Sequence, residues 1–231
     1  MKKKDLSARV LVLTGHYGSG KSELAINFAV NKNNSHIKTA LLDLDIANPY
    51  FRSREMHDML EDSGIDLVSN AYGYDITADL PALSPMINSY ILNPSINKVI
   101  DVGGNDSGAR VLNQCRASLK ETFASIFMVV NIYRPETDST EKIIRMLESI
   151  ENETGLEIGG IINNSNLLRD TDYEHIVSSI GMLETVSKKA AIPVAATCCE
   201  RRFYQQLRKN HTNIFPIDIY LRPKWLDRAV G

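Results

Sequence analysis

The sequence predicts an α/β chain in three layers, a mainly parallel sheet of seven to eight strands covered by helices on both faces. Three observations carry that expectation. Short aliphatic or β-branched runs alternate with longer amphipathic runs, the order that builds a parallel sheet with helical crossovers. Several short runs are apolar throughout, as strands buried on both faces are. A glycine-rich stretch, LVLTGHYGSGKSEL, joins the first apolar run to the first amphipathic one.

Taken in order, strands are expected at 10–14, 39–43, 66–69, 98–101, 125–131, 158–163 and 192–197, with a weaker one at 213–217. Helices fill the gaps. The helix expected at 22–33 carries Leu24, Ala25, Phe28 and Ala29 on one stripe. That at 139–153 carries Ile143, Leu147 and Ile150 at helical spacing, with Asp138 and Glu141 placed like a capping box. Two more are expected at 108–120 and 171–189. No internal repeat or low-complexity linker interrupts the pattern, and 231 residues suit one core, so 1–231 reads as a single domain.

Composition narrows the function. No stretch approaches the roughly 18 consecutive apolar residues of a membrane-spanning helix. MKKKD begins like a basic signal region, but the apolar run after it breaks at Thr14 and Gly15, too soon for an export signal. A cytoplasmic chain with no membrane partner is expected. Three cysteines, an odd number, then imply reduced thiols rather than a disulfide framework. The net charge of −2 advertises no nucleic-acid surface, so no nucleic-acid partner is expected.

Gly15-His16-Tyr17-Gly18-Ser19-Gly20-Lys21-Ser22 matches G-x-x-x-x-G-K-[ST], the phosphate-binding loop. Its glycines let the backbone curl so that successive N–H groups face phosphate oxygens. Lys21 reaches the β- and γ-phosphates, the Ser22 hydroxyl ligates Mg²⁺, and the helix that follows adds its positive dipole end. The setting between a strand and a helix is what makes the motif specific. Two acidic strand ends complete a nucleotide site. LLDLD closes the second strand with Asp43 and Asp45, and KVIDVGG closes the fourth with Asp101. Ligands of open parallel sheets gather at those carboxyl ends. Asp101 suits a Mg²⁺-water ligand, a second-strand carboxylate suits orientation of the attacking water, and the N–H of Gly103 or Gly104 suits sensing of a γ-phosphate.

These residues resemble the nucleotide-binding domain shared by cobyric-acid synthase, the Min and Par division ATPases and the nitrogenase iron protein, P-loop NTPases of the SIMIBI class. The order matches over most of the chain: phosphate loop, D-x-D at Asp43 and Asp45, DVGG at 101–104, GIINNS at 160–165. The resemblance implies Mg²⁺-dependent ATP hydrolysis coupled to a conformational switch, with ATP and Mg²⁺ as ligands, a protein partner and a nucleotide-dependent homodimer. It places Asp45 near the γ-phosphate, among the groups around the metal with Ser22 and Asp101. It makes DVGGNDSGAR the second switch and assigns Asn164 to adenine, with Asn163 as the neighbouring alternative. No N-K-x-D guanine-reading motif occurs, which favours ATP over GTP.

The chain departs from that pattern in three places. Many relatives carry, at the second loop position, a lysine that reaches a partner's phosphates; here it is His16, shorter and largely neutral at pH 7. Ser107 lies near the place of the nitrogenase cluster cysteine, so no bridging cluster is implied. Thr197-Cys198-Cys199-Glu200 stands where relatives often have a proline against the base.

NPYFRSR at 48–54 follows Asp45 and is expected as the first switch. There Arg52 and Arg54 either supply the charge that His16 does not, in cis or across a dimer, or are solvated. Cys198 and Cys199 read as small buried thiols in preference to metal ligands, because adjacent side chains point apart on an extended backbone. Three functions fit: an ATPase switch on a protein partner, in cofactor or metalloenzyme maturation; an ATP-dependent small-molecule synthetase or kinase, with a pocket from Tyr72, Tyr74, Asp75 and 76–95; and a nucleotide-binding scaffold with little hydrolysis.

Overall fold

A computed structural model describes residues 5–33, 37–45, 57–69, 85–104 and 106–221. Eight strands run through them: β1 Val10–Thr14, β2 Thr39–Asp43, β3 Ile65–Ser69, β4 Asn97–Asp101, β5 Ser125–Val130, β6 Gly160–Asn163, β7 Val194–Glu200 and β8 Ile214–Ile217. They form one sheet in the order β3-β2-β4-β1-β5-β6-β7-β8, every adjacent pair parallel.

Between them lie α1 Lys21–Lys32, α2 His57–Asp62, α3 Pro85–Leu92, α4 Asp106–Glu121, α5 Thr140–Thr154, α6 Tyr173–Ala190 and α7 Arg201–Leu207. Three layers result from the two-residue alternation of strand side chains. On β1, Val10 and Val12 face a core shared with Val111, Leu112, Ile143, Leu147 and Leu183 of α4, α5 and α6. Leu11 and Leu13 face the opposite core, which takes in Leu24, Ala25, Phe28 and Ala29 of α1 and Leu60 of α2. Both faces are covered, so all five β1 residues are buried.

The central strands carry most of the sequence's apolar runs and the outer ones fewer, as the covered middle of a parallel sheet requires. Helix ends differ from the expectation at α5. Its N-cap is Ser139, whose side chain makes no capping bond, and the Asp138 carboxylate instead meets Lys142 Nζ at 2.8 Å. A full capping box stands at α6: Asp172 accepts from the His175 N–H at 2.8 Å, and the His175 ring accepts from the Asp172 N–H at 3.3 Å. The expected pocket residues Tyr72, Tyr74 and Asp75 lie outside the described residues, as do Pro223 and Trp225, expected to close the domain edge.

Candidate nucleotide site

The order of strands puts a crossover where ligands collect. β1 lies between β4 and β5, so the chain leaves β1 toward one side of the sheet and returns on the other. At this switch point the carboxyl end of β1 runs straight into Gly15–Ser22 and α1. Gly15 holds φ +137°, and a Cβ there would sit inside the Val129 carbonyl of β5. Glycine is therefore required for the chain to turn away from the sheet. Gly20 ends the loop in the left-handed region at φ 81° and forms the N-cap of α1.

Lys21 and Ser22 open α1 and are both buried. The Lys21 ammonium donates to the His16 carbonyl at 3.1 Å. Burial pushes its pKa below the usual lysine value, opposed by the charges of Asp101 and Asp45. The Ser22 hydroxyl donates to Asp101 Oδ2. Asp101 Oδ1 is buried with no hydrogen-bond partner among the described residues, and so is the Ser19 hydroxyl inside the loop. Asp43 and Asp101 are register partners on β2 and β4, and the Asp45 N–H approaches Asp43 Oδ1 at 3.4 Å. Burial raises the Asp101 carboxyl to about 7; Lys21 and the Ser22 hydrogen bond hold it down, and Asp43 and Asp45 push it up.

This arrangement joins the Ser22 hydroxyl to the buried Asp101 carboxyl, with the Lys21 ammonium and the Asp43 and Asp45 carboxylates close enough for their charges to act on it. A hydroxyl touching a buried carboxylate with one orphaned oxygen fits a hydrated divalent cation, since hard cations take oxygen ligands and Mg²⁺ keeps several waters. The Gly103-Gly104 segment packs directly on the loop: a Cβ on Gly104 would overlap the Gly15 carbonyl. The Thr14 hydroxyl reaches the Gly103 carbonyl at 3.4 Å from beneath. The DVGG segment is thus packed against the phosphate loop.

The remaining expected residues fall in different places. Tyr17 projects from the loop, 71% exposed. The His16 ring pairs with Glu136 at 3.5 Å and lies 2.9 Å from the Tyr17 carbonyl. Asn164 is buried at the end of β6, and its amide donates to the Ser19 carbonyl at 2.8 Å, so it braces the phosphate loop itself. Asn163 instead turns into the sheet's underside, donating to Ser179 Oγ at 2.8 Å. Arg52 and Arg54 lie outside the described residues.

A cavity of about 140 Å³ opens beside the loop, with Gly18, Gly20, Asn164, Cys198, Cys199 and Phe203 among its lining residues. β7 runs on through Glu200, so both cysteines belong to the strand. They split between two hydrophobic clusters, Cys198 with the α1 core and Cys199 with Ile176 and Leu207. Burial pushes both thiols up, Cys199 to about 11. Among the described residues no group of three or more metal-ligating side chains forms. Sequence reasoning missed Arg134, whose Nε donates to the Gly18 carbonyl at 3.0 Å. Its position just past β5, at a carboxyl strand end, was the available signal.

No protein-family model matches the chain, and no curated protein does. Solved structures do. The chain is similar to FlhF complexed with GTP and Mg²⁺, at 16% identity and TM-score 0.51, over 84% of this chain and 68% of that one. It is similar to the cell division protein FtsY from Thermotoga maritima, at 14% identity and TM-score 0.54, over 81% of this chain and 60% of that one. The signal recognition particle 54 kDa protein from Aeropyrum pernix K1, in complex with GDP, matches at 17% identity and TM-score 0.53, over 83% of this chain and 41% of that one. The described chain therefore has the α/β fold of P-loop nucleotide-binding proteins and spans less than two thirds of the length of the last two.

Proposed function

We propose that this chain is a Mg²⁺-dependent ATPase of one nucleotide-binding domain, which acts as a nucleotide-dependent switch on a protein partner. One observation carries the reading: after a glycine-rich loop, buried Ser22 donates to buried Asp101, whose other oxygen has no partner among the described residues. The charges of Asp101 and Asp45 act on buried Lys21. The loop N–H groups and Lys21 bind the β- and γ-phosphates. Ser22 directly, and Asp101 and Asp45 through water, would hold Mg²⁺, which supplies positive charge on the β- and γ-oxygens. Asp45 orients the water that attacks the γ-phosphorus, giving ADP and phosphate. Gly104, in contact with the loop, passes the γ-phosphate state to the segment after β4. A switch of this kind suits cofactor or metalloenzyme maturation and, from the resemblance, a homodimer formed on nucleotide.

The base has a second reading. FlhF and the signal-recognition-particle protein were solved with GTP and GDP. The chain has no N-K-x-D motif, which favours adenine. Equilibrium binding of Mg·ATP against Mg·GTP, with turnover measured in parallel, decides. We expect ATP to bind more tightly, Lys21→Ala to lose binding, and Asp45→Ala to bind ATP yet hydrolyse it at least tenfold more slowly. Tighter GTP binding replaces the base assignment, and unchanged turnover in Asp45→Ala removes that residue's role. Arg52→Ala and Arg54→Ala in the same assay assign those two arginines by loss of turnover with binding retained.

A further inference from the structure

The segment after β5 is built as a rigid support. The Arg134 N–H donates to the Asn131 carbonyl at 3.1 Å, and the Thr137 N–H to the Arg134 carbonyl at 2.9 Å, closing two successive turns. Buried Thr137 sends its hydroxyl to the Asn131 carbonyl at 2.6 Å. Asn131, fully buried, accepts from the Tyr133 N–H at 3.0 Å and donates to the Asn166 carbonyl at 3.0 Å. The Ile132 N–H reaches Ser165 Oγ at 3.1 Å, so the support is also tied to the end of β6. A side chain carried on such a frame is held in place before any ligand arrives.

From this frame Arg134 crosses to the phosphate loop. Its Nε donates to the Gly18 carbonyl at 3.0 Å, and it lines the same cavity as Gly20 and Asn164. Glu136 of the same support lies 3.5 Å from the His16 ring. No described residue takes the terminal amino groups of the Arg134 guanidinium. A guanidinium presents five donors in a fork that matches phosphate oxygens, so a donor spent on Gly18 leaves most of that capacity. Lys21 is another cation at the loop, with Asp45 and Asp101 within reach of its charge. A guanidinium beside the same loop therefore adds to what Lys21 and a bound Mg²⁺ offer an anionic phosphate chain.

We infer that Arg134 is a polyphosphate-binding residue, supplying from the loop after β5 a positive charge beside that of Lys21. The ligand group is the phosphate chain of a nucleoside triphosphate, and the inference rests on the nucleotide-binding reading above.

Calorimetric binding of Mg·ATP, Mg·ADP and AMP to the full chain, to Lys21→Ala and to Arg134→Ala, Arg134→Gln and Arg134→Lys tests it. Arg134→Ala and Arg134→Gln should each weaken Mg·ATP about tenfold to hundredfold, the range of a hydrogen bond to a charged group. They should weaken Mg·ADP less and AMP least, with Arg134→Lys recovering part of the loss. Glutamine can keep a hydrogen bond to Gly18 but has no charge. Wild-type affinity in Arg134→Gln therefore overturns the inference, and so does an equal loss for all three nucleotides, which marks a loop-shaping contact. If Lys21→Ala loses binding while every Arg134 variant keeps it, this inference fails and the nucleotide site stands. If the unmodified chain binds none of the three, both fail.

Discussion

Asp101 sits where burial and charge compete most directly. Loss of solvent drives its carboxyl up to about 7 from an ordinary 3.8, against the pull of Lys21 and the Ser22 hydroxyl. In the folded, ligand-free protein it therefore holds a proton that the unfolded chain has already released. Between those two values the folded state binds more protons, so stability falls as pH rises through the window. It is fully present below about pH 4 and lost as pH passes about 7. We expect the melting temperature of the nucleotide- and metal-free protein to drop across pH 4 to 7, and Asp101→Asn to flatten that slope. Parallel profiles for the two proteins would show that Asp101 is not the group responsible.

At the scale of elements, capping separates two helices that look alike in sequence. α6 begins at Asp172, whose carboxylate accepts the His175 N–H at 2.8 Å, and α5 begins at Ser139 with no side-chain cap. Asp172→Ala should cost about 1 kcal/mol in urea unfolding, and Ser139→Ala no more than a few tenths. Equal costs would mean that the described caps do not set the helix ends. The D-x-x-E spacing at Asp138 and Glu141 is one residue off the N-cap, which is Ser139, and the Asp138 carboxylate pairs with Lys142. Apolar runs were more legible. All eight strands lie within about two residues of the expected start, since burial on both faces leaves an unbroken aliphatic signal. β7 alone extends three residues further, through Cys198 and Cys199, because small thiols fit a buried strand but carry no strong strand pattern. The short helices α2, α3 and α7, of six, eight and seven residues, went unseen. Two turns are too few for a period of 3.6 to rise above chance.

Across the molecule, the site is assembled from the ends of β1, β2, β4, β5 and β6, drawn together by the sheet order. Motifs contiguous in sequence were legible as placements in the fold: the glycine-rich turn from β1 into α1, and the aspartates at or just past the ends of β2 and β4. What could not be read was contact over long separation, such as Arg134 on Gly18 and Asn164 on Ser19, 116 and 145 residues apart. Those contacts depend on which strands become neighbours. The assembly has a thermodynamic consequence. A ligand held by groups from several strands binds the folded chain and has no site on the unfolded one, so it stabilises the whole sheet by mass action. At a free concentration one hundred times its dissociation constant, Mg·ATP should add about 2.7 kcal/mol of stability. For a chain of this size that corresponds to a rise of roughly 5 to 10 °C in melting temperature. The rise should grow with the logarithm of ATP concentration and vanish in Lys21→Ala. A shift that persists in Lys21→Ala would place the bound nucleotide elsewhere than the loop after β1.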